Sequence, residues 1–155
     1  MFETVVWATD GSELADRALE TVRQLAKIHG SRIVAVHANE LLTGRAGGAP
    51  VLADEPEIRD QLEAQVADLR AAGFDASLEV RTGSKRVAAL IEAAADEVDA
   101  GLIVVGTHGR GGVSATLMGS VARGLCHTSR RPVLVVPPAD RAEPQSAGAE
   151  QLTTA

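Results

Sequence analysis

Residues 101–120 read GLIVVGTHGRGGVSATLMGS. The apolar run Leu102 to Val105 leads directly into Gly106, Gly109 and the pair Gly119-Ser120, a spacing of G-x2-G-x9-G-S. Glycines bunched between a strand and a helix make a backbone surface that a phosphate group can approach closely, because no Cβ stands in the way and the helix start offers unpaired N–H groups. The stretch has neither the Gly-Lys-Ser/Thr ending of a Walker loop nor the G-x-G-x-x-G dinucleotide fingerprint. It reads as strand, glycine loop and helix, which is the unit of an open α/β sheet.

The rest of the chain repeats that unit. Thr4 to Thr9 is a β-rich run ending at Asp10-Gly11-Ser12, after which Leu14, Ala18, Leu19, Val22, Leu25, Ala26 and Ile28 recur at helical spacing. Ser12 is the expected N-cap and Gly30 the expected stop, a position where a left-handed residue costs least in glycine. Arg32 to His37 is a second buried-type strand, and residues 39–53, with Gly44, Gly47, Gly48 and Pro50, are expected to be a loop overhanging the carboxyl edge. A helix over Glu57 to Ala72, a strand over Ala76 to Arg81 with an exposed face and a helix over Ser84 to Glu97 follow. Leu102 to Val105, a helix near Ser120 to Ser129 and a strand over Pro132 to Val136 complete the set. Five strands alternating with four helices predict a single doubly wound, mainly parallel sheet with helices on both faces, of Rossmann-like type. One domain over residues 1–137 is expected, followed by a disordered tail over 138–155, which lacks apolar periodicity.

Composition narrows the function classes. Apolar residues make up 45% of 155, yet only Phe2, Trp7 and Phe74 are aromatic, so the core must be Ala, Val, Leu and Ile. A net charge of −6 and so few aromatic rings argue against nucleic acid as a partner. No apolar run reaches the roughly 18 residues of a membrane span, and Met1 leads straight into a strand pattern, so a cytoplasmic protein is expected. The single cysteine, Cys126, excludes an internal disulfide, and its place beside Val121 and Leu125 predicts a small buried hydrophobe. His29, His37, His108 and His127 are too scattered to predict a His-ligated metal.

Ligands of open α/β sheets bind beyond the carboxyl ends of the strands, where the strand order reverses. Asp10-Gly11-Ser12, His37-Ala38-Asn39 and Gly106-Thr-His-Gly109 would all end there. Asp10 has two readings: a turn-maker capping its own backbone, or an acceptor for a ribose hydroxyl or a phosphate-bound Mg2+. Arg110 and His108 are either solvated loop residues or neutralisers of phosphate charge. Gly119 costs about 1 kcal/mol relative to alanine in a helix, which predicts something close to the backbone there. The N–H groups of Ser120 and Val121, at the positive end of the helix, would then hold terminal phosphate oxygens.

On the Asp10-Gly11-Ser12 element, the G-x2-G-x9-G-S spacing and the closing Arg131 to Val136 strand, the chain resembles a universal stress protein of the ATP-binding subgroup, over about residues 3–137. The resemblance implies strand order 3-2-1-4-5. It further implies that Ala8, Thr9 and Asp10 border adenine and ribose, that the backbone of Ala38 recognises the adenine edge, and that Gly106 and Gly109 approach ribose and phosphates. Gly119, Ser120 and Val121 would hold the distal phosphates. The implied ligand is ATP, with Mg2+ held mainly by the phosphates, and the implied assembly is a homodimer through the last strand. An unpaired apolar edge at Val133 to Val136 would be an aggregation hazard without such a partner.

The glycine loop has no lysine and Asp10 no second carboxylate beside it, so the expected role is regulatory nucleotide binding with at most weak ATPase activity. The alternatives are a slow hydrolase or adenylyl-transferring enzyme on the same site, and a nucleotide-free dimeric interaction module. A phospho-acceptor receiver domain is excluded because Asp10 stands without the further acidic residues and the lysine that such a site requires.

Overall fold

The computed structural model describes residues 2–41, 55–108 and 118–138. In chain order the elements are β1 (Thr4–Ala8), α1 (Glu13–His29), β2 (Arg32–Glu40), α2 (Glu55–Ala71), β3 (Ala76–Gly83), α3 (Val87–Glu97), β4 (Leu102–Gly106), α4 (Ser120–Thr128) and β5 (Val133–Val136). The strands form one sheet in the order β3-β2-β1-β4-β5, and every neighbouring pair is parallel.

Burial on both faces explains why the central strands are nearly continuous apolar runs. On one face Val5, Trp7, Ile33, Ala35, Leu102 and Val104 pack against Ala18 and Val22 of α1 and Leu62 and Val66 of α2. On the other, Val6, Ala8, Val34, Val36, Ile103 and Val105 pack against Ile91, Ala94 and Ala95 of α3 and Ala122 and Leu125 of α4. Each fully buried Val or Leu contributes roughly 1.5–3 kcal/mol relative to exposure. Trp7, the one large ring inside, is fully buried and donates its indole N–H to the carbonyl of Ala15 at 2.9 Å. That bond satisfies a polar group whose burial is otherwise costly.

Helix α1 starts and stops where expected. The Ser12 hydroxyl accepts the Ala15 N–H at 3.3 Å, Glu13 and Asp16 sit in the first turn, and Gly30 closes the helix in the left-handed region at φ +66°. Acidic residues at the start and Lys27 and His29 at the end both complement the helix dipole.

Three expectations need correction. Strand two does not end at His37: Asn39 and Glu40 pair with Thr82 and Gly83, and the Leu41 N–H reaches the Gly83 carbonyl at 2.8 Å. Ladder pairing with β3 carries the strand into what reads locally as loop; residues 42–54 lie outside the described residues. The same pairing extends β3 to Gly83, so α3 begins at Val87 and not at Ser84. Cys126 is exposed, because the buried stripe of α4 runs through Ala122 and Leu125 and the next residue falls about 100° round the helix.

Polar groups at the ends of β3 and β5 lock the helices on. Arg81 bridges Glu79 and Glu97, tying β3 to α3, and hydrogen bonding to Glu97 first and Glu79 second raises its pKa further above the ordinary arginine value. No helix among the described residues is long and apolar enough to cross a membrane.

Candidate functional site

The sheet order makes β1 and β4 neighbours while their following helices, α1 and α4, lie on opposite faces. This is the reversal of strand order that opens a crevice at the carboxyl edge. β1 is anchored there through β2. The Thr9 N–H donates to the Val36 carbonyl at 3.0 Å, and His37, buried at 3% exposure, has Nδ1 3.0 Å from the Thr9 carbonyl. A carbonyl only accepts, so Nδ1 is the donor in this contact.

The turn after β1 is tightly built. Gly11 adopts φ +74°, its N–H donates to Thr9 Oγ1 at 3.1 Å, and the Ser12 N–H donates to Asp10 Oδ1 at 3.1 Å. Asp10 therefore does serve as a turn-maker. Helix α2 braces the same turn from outside: Gln61 donates to the Gly11 carbonyl at 3.2 Å and Gln65 to Asp16 Oδ1 at 2.7 Å. Neither glutamine is signalled by any motif; only their i,i+4 spacing on one helix could have suggested a shared target.

On the β4 side, a Cβ on Gly106 would lie 3.1 Å from the Leu14 carbonyl oxygen, so α1 crowds this position and would have to give by a few tenths of an ångström to admit a side chain. Gly119 is the N-cap of α4. Its N–H donates to the Thr107 carbonyl at 2.7 Å, and a Cβ here would meet that oxygen at 2.9 Å. The close neighbour expected at Gly119 is thus the chain's own Thr107. Ser120 and Val121 occupy the first turn, whose N–H groups have no partner within the helix. Gly109 and Arg110 lie outside the described residues.

Ala8, Thr9 and Asp10 end β1; Ala38 sits near the end of β2, partly buried against the α3 and α4 core; Gly106 ends β4. The fold thus brings the described members of the predicted set to one edge. Asn39 and Thr107, which had no role assigned from sequence, also lie at that edge, as does His108, read from the sequence as a solvated residue or a neutraliser of phosphate charge. Asn39 Nδ2, Thr107 Oγ1 and His108 Nε2 are closed off from solvent without a hydrogen-bond partner. Orphaned buried polar atoms are uncommon and destabilising, and a group of them at one sheet edge fits a polar ligand. Among the described residues no cluster of three or more His, Cys, Asp or Glu could hold a metal ion.

Comparison with known proteins agrees with this geometry. A universal stress protein of Thermus aquaticus is 32% identical over 146 residues, covering 88% of this chain and 99% of its own. The Archaeoglobus fulgidus universal stress protein solved in complex with dAMP superposes with a TM-score of 0.64 at 30% identity, over 87% of this chain and 97% of that one. A universal stress protein solved in complex with cAMP gives 0.62 at 28% identity, over 88% and 97%. The model of the universal stress protein family matches residues 1–137, and the chain belongs to that family.

Proposed function

We propose that the protein binds an adenine nucleotide at the carboxyl edge between β1 and β4, and that it acts in the cytoplasm as a regulatory nucleotide-binding module. The observation that carries this reading is the pair of unpartnered buried atoms of Thr107 and His108 directly after β4, beside the place where strand order reverses. Two relatives at 28% and 30% identity were solved with cAMP and dAMP, which supports the adenine class. In this reading Ala8, Thr9 and Asp10 border adenine and ribose, and the Ala38 backbone meets the adenine edge. Gly106, Gly109 and Arg110 face ribose and phosphates, and Gly119 shapes the entry to the N–H groups of Ser120 and Val121. ATP is the full-length ligand, and any Mg2+ is held mainly by its phosphates. The loop has no lysine to stabilise a transferring phosphoryl group, so the protein holds ATP and at most hydrolyses it slowly.

Equilibrium titration of nucleotide-stripped protein with ATP tests the site, with Gly109→Val and Gly119→Val as variants. Affinity should fall at least tenfold in both; unchanged affinity in both variants removes the assignment.

β5 is an edge strand with Leu134 37% exposed on it. We read it as the pairing edge of a homodimer, since an apolar edge left open invites indiscriminate pairing. Light scattering at micromolar concentration should give twice the chain mass, and a monomeric mass refutes the pairing.

A further inference from the structure

We infer that the groove between α1 and α2 binds a free basic amino acid, with Arg23 holding its carboxylate and Gln65 and the surrounding acidic side chains holding its ammonium groups. Asp16, Leu19, Glu20 and Arg23 recur at i, i+3, i+4 and i+7 and so share one face of α1, while Gln65 and Asp68 share one face of α2. Together they line a cavity of about 250 Å3. That is room for roughly eight waters, the bulk of a free amino acid and well below that of a nucleotide. Leu19, at 8% exposure, is its apolar floor. Asp68 and Glu20, which accepts a long bond from Gln24 at 3.4 Å, are exposed at its rim. The groove lies in the helix layer opposite that of α4, away from the helix start assigned to phosphates.

Two polar atoms of this lining, Arg23 Nε and Gln65 Oε1, are closed off from solvent without a hydrogen-bond partner. One is a donor and the other an acceptor, yet they do not meet. The Gln65 amide cannot turn over to relieve its oxygen, because its Nε2 donates to Asp16 Oδ1 at 2.7 Å and a flipped amide would set oxygen against carboxylate. Nor does Arg23 settle on its neighbours. Asp16, Glu20 and Asp68 line the same cavity, but among the described residues Arg23 forms no ion pair with any of them. For covering Leu19 alone, methionine would serve without a buried donor. Both orphans are satisfied by a ligand that accepts from Arg23 with one group and donates to Gln65 with another. A carboxylate and an ammonium are the strongest such groups, and an α-amino acid carries both on one carbon. Three carboxylates against one guanidinium leave the lining with two negative charges in excess, which favours a second ammonium on the ligand's side chain. A polyamine has no acceptor for Arg23, and an acidic amino acid brings the wrong charge.

The experiment is calorimetric titration of the full chain with lysine, lysinamide and norleucine, at physiological ionic strength to screen unspecific attraction. Lysinamide lacks the carboxylate and norleucine the side-chain ammonium. The native chain should bind lysine roughly tenfold more tightly than either. Arg23→Met and Asp68→Asn are titrated beside it, with thermal melts. Arg23→Met should melt at or above the native temperature and bind lysine no better than lysinamide. Asp68→Asn should melt as the native chain does and bind lysine about threefold more weakly, the scale of an exposed charge pair. Lysinamide bound by the native chain as tightly as lysine means that charge alone attracts cations to the groove, and overturns the inference. Norleucine bound as tightly as lysine overturns it as well, as does an absence of lysine binding up to roughly 10 mM. These comparisons need only the native chain and so hold even where a variant fails to fold. Lysine affinity unchanged in both variants places the site elsewhere and removes the assignment. The nucleotide reading stands or falls independently of all these outcomes.

Discussion

The two edges of this sheet use their polar groups in opposite ways. At the amino edge, ahead of β5, Arg131 donates to the carbonyls of Ala95 at 2.7 Å and Ala100 at 3.0 Å, pairs with Glu92 at 3.4 Å and bonds Asp96. One guanidinium thus ties α3, the turn before β4 and β5 together. At the carboxyl edge the hydroxyl of Thr107, the outer nitrogen of His108 and the amide of Asn39 have no partner. Glycines at 106 and 119 let backbone segments approach there without side chains between them. At the amino edge the fold pairs nearly all of this charge, with Glu92 Oε2 left without a partner. At the other, hydrogen-bonding capacity is left over, and that surplus is what a ligand site needs before the ligand arrives. The contrast teaches that substitutions should separate by edge, with stability changing at the amino end and affinity at the carboxyl end.

The largest effect should come from Arg131→Ala. The Arg131 side chain is 13% exposed and Glu92 15%, so the change leaves a largely buried carboxylate with the Arg130 N–H at 3.3 Å and no counter-charge from Arg131, and takes a donor from two backbone carbonyls, of which Ala95 keeps the Ala100 N–H at 2.9 Å. Breaking such an arrangement costs roughly 3 kcal/mol. Urea unfolding should show that loss as a lower midpoint with an unchanged slope, while the nucleotide affinity of the folded fraction stays native. A loss below about 1 kcal/mol, or a weaker affinity, would break the division between edges.

Asp10→Asn probes the other edge. Asparagine keeps an Oδ1 acceptor for the Ser12 N–H, so the turn should survive and the melting temperature should hold. The lost charge should weaken the ribose contact and lower nucleotide affinity roughly tenfold, about 1.4 kcal/mol. Binding unchanged beside native stability would reduce Asp10 to the turn-maker that its Ser12 bond already makes it.

These variants also mark how far the sequence could be read. The cap at Ser12 and the stop at Gly30 were legible because they are local, a capping hydroxyl and a left-handed glycine each acting within a few residues, whereas the order 3-2-1-4-5 was implied by the family resemblance and not by any local signal. Asn39 and Glu40 were read as loop because their strand character comes from Thr82 and Gly83, over 40 residues away. Cys126 was read as buried because its neighbours are apolar, whereas the stripe facing α3 passes through Ala122 and Leu125. At the candidate site, glycine spacing pointed to the carboxyl edge but misattributed the crowding at Gly119, whose near neighbour is the Thr107 carbonyl. The left-over atoms of Asn39, Thr107 and His108 had no signature at all, since a missing hydrogen bond becomes visible only when every nearby partner is placed.

The smallest expected effects lie at the two ends of α1, which begins at the carboxyl edge and ends at the amino edge. Gly30 has φ +66° with nothing within 4 Å of an added Cβ, so Gly30→Ala carries backbone strain without a clash and should cost about 1 kcal/mol. Ser12→Ala removes a cap whose hydrogen bond is long, 3.3 Å, and should cost only about 0.5 kcal/mol, the low end for such caps. Part of the reason is that the turn it belongs to is held independently by Asp10 on Ser12 and by Gln61 on Gly11. Thermal melts of the two single variants and the double variant check this, with costs that add because the sites are a whole helix apart. A Ser12→Ala cost well above that of Gly30→Ala would mean that the turn before α1 depends on its cap, and that the carboxyl edge carries more of the fold's stability than its left-over polar atoms suggest.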